Sequence, residues 1–133
     1  MSERPPKPIP EADAGSRPFF EGGMQGRLML MRCRACRTWR LPSRLHCDVC
    51  LSDEFDWEQA SGRGQVRTFG IMHQRYHPGF DYPYNLAFVE LEEGPRLMTN
   101  IVGVDNAAVY VGMPVTVEWE QHEDVALPKF RPA

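Results

Sequence analysis

No cysteine of this chain lies outside residues 33–50, and no apolar run approaches the length that crosses a bilayer. No charged segment followed by an apolar stretch opens the sequence, so the reading is of a cytoplasmic protein that keeps its thiols reduced, with no membrane role. There is no internal repeat. Basic residues are scarce after the cysteines: residues 51–133 carry six against thirteen acidic ones. That balance of −7 opposes tracking a phosphate backbone, and places nucleic-acid binding below other readings. No nucleophile motif surrounds the histidines, which leaves little basis for intrinsic catalysis. At 133 residues, 42% hydrophobic and 25% charged, the chain suits one medium domain or two small modules sharing a surface.

All four cysteines form two C-x-x-C pairs, Cys33-Arg34-Ala35-Cys36 and Cys47-Asp48-Val49-Cys50, ten residues apart. Two such pairs meeting in space supply four thiolates to a tetrahedral ion. Structural zinc is the first reading of Cys33, Cys36, Cys47 and Cys50; iron in a rubredoxin-like site uses the same donors and stays open. Four protein ligands leave no open position for catalysis. The residues between the pairs hold too little apolar material to fold unaided, so the metal is expected to supply the folding free energy of this module.

Charge is divided along the chain. Residues 27–50 carry Arg27, Arg32, Arg34, Arg37, Arg40 and Arg44 against Asp48 alone, a balance of +5. Arg34, Arg37, Arg40 and Arg44 are therefore candidates for an anion site, for phosphate, nucleic acid or an acidic partner. The competing reading is that they stay solvated and offset the dianion of zinc with four thiolates.

Residues 1–16 are proline-rich and read as a disordered tail. Residues 17–27 form a helical arm, with Ser16 as N-cap and Pro18 in the first turn. Gly22 and Gly23 weaken that helix, so it needs a surface. Phe19 and Phe20 pack on this chain's own body or on another subunit. Residues 28–60 read as a zinc ribbon, with strands over 28–32, 38–41 and 55–58. Residues 61–133 read as a closed antiparallel barrel of four or five strands, an OB-fold, so the chain is mostly β. Its strands cover 65–76, 84–92, 96–102 and 115–120, with a connector over 104–111 and a short last strand around Phe130. Between the first two barrel strands, residues 72–84 carry His73, Arg75, Tyr76, His77, Tyr82 and Tyr84. Such a loop offers rigid aromatic and arginine anchors for a protein interface, aromatic faces and a guanidinium for a nucleotide-like ligand, or simply a lid packed over the barrel mouth.

Specific pieces of sequence recur in this order: Pro18-Phe19-Phe20, Gly26-Arg27-Leu28 before Arg32-Cys33, Leu41-Pro42, Ser61-Gly62-Arg63-Gly64, Val89-Glu90-Leu91, Gly94-Pro95-Arg96, Gly112-Met113-Pro114-Val115 and Phe130-Arg131-Pro132. In these the chain resembles the acyl-CoA-associated proteins that join a rubredoxin-like zinc ribbon to an OB-fold, long catalogued as a domain of unknown function. Two departures stand out. The family often has glycine after each C-x-x-C, where this chain has Arg37 and Leu51. Asn85-Leu86 replaces its usual aliphatic pair, which puts a polar group near the start of a barrel strand. The resemblance implies a non-catalytic accessory subunit with structural zinc. It implies a hetero-oligomeric partner: a thiolase-like or lipid-transfer-protein-type enzyme, an aldolase, or an acyl-CoA hydratase, with a CoA thioester as possible ligand. The context it implies is fatty-acid, ketone or steroid side-chain metabolism.

Overall fold

The computed structural model describes residues 16–42, 44–73, 78, 83–123 and 125–133. The tail expected before Ser16 lies outside the described residues. Helix α1 (Arg17–Met24) opens the fold. Ser16 stands at its N-cap, but its carbonyl rather than its side chain serves the helix, accepting from the Phe19 and Phe20 amides at 3.0 and 3.2 Å. The expected side-chain cap is thus replaced by backbone bonding. The two glycines that weaken α1 are buried, because they let its backbone approach strand side chains closely. A Cβ at Gly23 would lie 2.9 Å from the Trp119 ring and 3.1 Å from the Ala126 carbonyl oxygen.

Three strands build the ribbon: β1 (Met29–Cys33), β2 (Trp39–Arg40) and β3 (Phe55–Gln59), antiparallel in the order β2-β1-β3. Their positions match the expected pattern, and Phe55 and Trp57 share a face with ring centroids 6.1 Å apart.

Five strands build the second sheet: β4 (Arg63–Met72), β5 (Tyr84–Leu91), β6 (Arg96–Thr99), β7 (Pro114–Gln121) and β8 (Ala126–Pro132), in the order β6-β5-β4-β7-β8. A bulge between Val66 and Thr68 bends β4, whose residues Arg63 to Gln65 pair with β7 while Gly64 to Met72 pair with β5. Along β5 the inward positions Asn85, Ala87, Val89 and Leu91 are buried, the period of two that a half-buried strand requires. Past the end of β6 the chain crosses to β8 through the parallel bridge Ile101–Phe130, and Val102 N–H donates to the Phe130 carbonyl at 2.8 Å. This joins the two sheet edges into an OB-type barrel.

Three strand readings need correction. β4 covers Arg63–Met72 and has ended by His73, where a strand over 65–76 was expected. β6 stops at Thr99 rather than running to 102, because Asn100 and Ile101 leave the β5 ladder for β8 and the Asn85 side chain. The last strand is not a short plug: β8 pairs with β7 from Ala126 to Pro132, with Phe130 fully buried. A 3-10 turn (Asn106–Ala108) lies within the connector.

One core unites both modules. Phe19, Leu28, Leu30 and Ala60 from the N-terminal part pack with Val66, Val89, Ile101, Val115 and Phe130 of the barrel. The ribbon tip is different. Among the described residues from 41 to 54, Cys47 alone is buried, while Leu45, Val49 and Leu51 are each more than two-thirds exposed.

Candidate functional site

The two C-x-x-C segments fold into matching knuckles. In the first, Cys33 N–H donates to the Thr38 carbonyl and Arg37 N–H to the Cys33 carbonyl, at 2.9 and 3.0 Å. In the second, Cys47 N–H donates to the Ser52 carbonyl and Leu51 N–H to the Cys47 carbonyl, both at 2.9 Å. Arg37 and Leu51, which stand where the family often has glycine, have φ of 67° and 65°. They are the described non-glycine residues with positive φ, so the knuckle geometry is kept at the cost of strain.

The knuckles bring the sulfurs of Cys33, Cys36, Cys47 and Cys50 within 4.8 Å of one another. Cys33 and Cys50 are 3.5 Å apart, as are Cys36 and Cys47. Zinc–sulfur bonds of about 2.3 Å place four tetrahedral sulfurs about 3.8 Å apart, so the set fits a zinc ion. The electrostatics agree. The Thr38 hydroxyl, 3.1 Å from Cys36 Sγ, and the Thr38 amide lower the Cys36 pKa to about 6. Amides of the first knuckle, that of Cys36 foremost, lower that of Cys33. Cys50 is pushed up to about 12: the Ser52 amide pulls it down, but the Cys33 sulfur, desolvation and the other sulfurs outweigh it. Four adjacent thiolates need a cation, and zinc when bound supplies that charge and holds the tip together in place of an apolar core.

The arginines have separate fates. Arg34 makes two bonds to Asp56 Oδ1, at 3.0 and 2.8 Å. Arg37 reaches Glu58 at 3.6 Å, and its carbonyl accepts from Arg32 Nε at 2.9 Å. Arg44 is exposed. Arg40 is buried, with its guanidinium over the Phe55 ring at 5.1 Å. Arg40 and Arg44 line a cleft of about 450 Å³ between the ribbon and the β5–β6 turn, where they meet Asp48, Glu93 and Arg96. The sequence treats Glu93 and Arg96 only as hairpin residues; nothing in their spacing announces that the turn folds against the ribbon.

Phe19 is in the chain's own core, and Phe20 packs beside it edge-on, half-buried, with ring centroids 5.2 Å apart. His73 is exposed just past β4. Tyr84 begins β5 and lines a second cavity of about 610 Å³ with Asn85, Asn100, Ile101 and Lys129. Arg75, Tyr76, His77 and Tyr82 lie outside the described residues. No helix among the described residues is long and apolar enough to cross a membrane.

Comparison with known proteins places these features together. Residues 20–56 match the family described as "ChsH2, rubredoxin-like zinc ribbon domain", and residues 57–120 match "ChsH2, C-terminal OB-fold domain". Over 137 aligned residues the chain is 41% identical to a probable enoyl-CoA hydratase alpha subunit of Thermomonospora curvata, spanning all of this chain but 43% of that protein. It is 38% identical over 91 residues to a DUF35 domain-containing scaffold protein of Methanocaldococcus jannaschii, covering 66% of this chain and 64% of the relative. The chain thus spans about two-fifths to two-thirds of the length of these two relatives. Among solved structures, a chain of "Ltp2-ChsH2(DUF35) aldolase" superposes with a TM-score of 0.84 at 40% identity, covering 93% of this chain and 98% of that one. The paired domains and that near-complete superposition establish that the chain belongs to the DUF35/ChsH2 family of zinc-ribbon and OB-fold proteins.

Proposed function

We propose that this chain is a non-catalytic, zinc-stabilised accessory subunit. It docks on a thiolase-like or aldolase enzyme chain that acts on acyl-CoA substrates, in a hetero-oligomer. The observation that carries this reading is the superposition over 98% of a chain from an aldolase named for two components, Ltp2 and ChsH2. The archaeal relative described as a scaffold protein supports a role in assembly. The four-cysteine site supports it too, since four protein thiolates leave a metal no position for substrate.

In this reading the zinc fixes the two knuckles, and the ribbon is held against the barrel by the shared core. The contact surfaces are Phe20 braced by Phe19, the exposed Arg34, Arg37 and Arg44, and the segment between β4 and β5 whose sequence carries His73, Arg75, Tyr76, His77, Tyr82 and Tyr84; Arg40, being buried, is not among them. A hydratase chain is the second candidate partner, because a relative matching the full length of this chain is described as an enoyl-CoA hydratase alpha subunit.

Native mass spectrometry of the tagged protein drawn from its own cells tests the proposal. The expected result is a thiolase-like or aldolase chain at fixed stoichiometry, with one zinc per copy of this chain. A hydratase chain in its place selects the second partner. Recovery of the chain alone, or with nucleic acid, overturns the accessory role.

A further inference from the structure

Arg40 is buried without a counter-ion. It is 3% exposed, and among the described residues it is the one charged residue that is buried. No described carboxylate pairs with it. A guanidinium is a fixed charge, and burying it is costly unless an opposite charge shares the same water-poor region. Hydrogen bonding does not account for its place. Nε and Nη2 have no partner, and Nη1 reaches only the Ser52 carbonyl, at 3.4 Å.

What Arg40 touches belongs to the metal centre on both sides. The Ser52 carbonyl also accepts from the Cys47 amide at 2.9 Å, and the Ser52 amide donates to the Cys50 thiolate. Ser52 therefore holds both ligands of the second knuckle. On the other side the guanidinium lies 5.1 Å over the Phe55 ring, and Phe55 pairs with Cys33 across the β1–β3 ladder. Arg40 thus spans the two knuckles without bonding to a sulfur. Zinc with four thiolates is a dianion, which gives the buried cation its opposite charge. The other arginines of the run are in water: Arg34 and Arg37 engage Asp56 and Glu58, and Arg44 is exposed.

We propose that Arg40 is a positioning residue of the metal centre. Its buried charge offsets the tetrathiolate, and its contacts with Ser52 and Phe55 tie the second knuckle to the strands of the first. The inference rests on the four-cysteine centre and not on the partner proposed above.

The test compares Arg40→Met, neutral and of similar length, with Arg40→Lys, which keeps the charge, both in the full chain. Two quantities are read: the rate at which a chelator strips zinc, and the reduction potential after iron replaces zinc on the same thiolates. Arg40→Met should release zinc at least tenfold faster and lower the potential, because a nearby cation favours the more negative, reduced centre. Arg40→Lys should hold the potential near that of the parent and release zinc within a few-fold of it. Exposed Arg44→Gln should change neither. Looser packing alone would admit water and leave the potential level or raised. The proposal is overturned if the potential does not fall in Arg40→Met, or falls as far in Arg40→Lys. Should Arg40→Met fail to fold, Arg40→Gln takes its place. Failure of both neutral variants to hold metal, with Arg40→Lys holding iron at the parent potential, supports the same role for the charge.

Discussion

The side chain of Asn85 grips the backbone of Ile101 from both sides: its Nδ2 donates to the Ile101 carbonyl at 2.8 Å, and its Oδ1 accepts from the Ile101 amide at 2.6 Å. Ile101 has just left the β5 ladder, so the amide of one residue stands in for a strand. Asn106 Oδ1 takes the second Nδ2 proton at 3.0 Å, and the Asn100 side chain donates to the Asn85 carbonyl. The polar residue that departs from the family's aliphatic pair is therefore a buried, satisfied clamp on the barrel closure.

Asn85→Val should accordingly destabilise the barrel by about 2–4 kcal/mol, since it strands a buried N–H and a buried carbonyl of Ile101. The midpoint of urea unfolding reads this. A change below about 0.5 kcal/mol would mean that the clamp is dispensable.

Leu51 is in the left-handed region, where an L side chain costs about 1–2 kcal/mol, and glycine recovers part of it. Leu51→Gly should make the zinc-loaded ribbon more stable by about 0.5–1 kcal/mol, while Leu51→Ala should not. Both are measured as the chelator concentration that releases zinc.

Removing zinc should open the tip and spare the barrel. Among the described residues 33–54 the buried side chains are Cys33, Arg40 and Cys47, whereas Val66, Val89, Val115 and Phe130 belong to a core that contains no cysteine. Hydrogen exchange after chelation is expected to rise across residues 33–54 and stay low in β4, β5 and β7. Equal loss of protection in both would show that the two modules unfold together.

Gly23 faces Trp119 and the Ala126 carbonyl at distances that leave no room for a methyl group. Gly23→Ala raises helix propensity by about 1 kcal/mol, but the overlap forces α1 outward, and the net effect expected is a loss of about 1–2 kcal/mol. Faster exchange of the amides of α1, with β5 unchanged, is the signature.

The Arg63 side chain beside Glu92, bonding at 3.0 and 3.1 Å, holds that carboxyl below its ordinary value. A depressed folded pKa contributes stability that is present above the unfolded pKa, about 4.3, and is lost as pH falls through the folded one. Thermal stability should therefore fall less steeply below about pH 4 in Glu92→Gln than in the parent chain. The two acid limbs would coincide if the pair contributes nothing.

What the sequence by itself determined is what short-range chemistry dictates. Two C-x-x-C pairs ten residues apart define a four-thiolate centre wherever they are brought together, and the period of two along residues 55–58, 84–92 and 115–120 marks strands whatever their neighbours. The tertiary structure alone decided which arginine of a basic run is buried, since Arg34, Arg37, Arg40 and Arg44 look alike in sequence and differ only in what folds against them. The same holds for the end of β6, where Asn85, 16 residues away, competes for Ile101. It holds again for the cleft, whose two walls come from segments that are about 50 residues apart and meet only because one core unites ribbon and barrel.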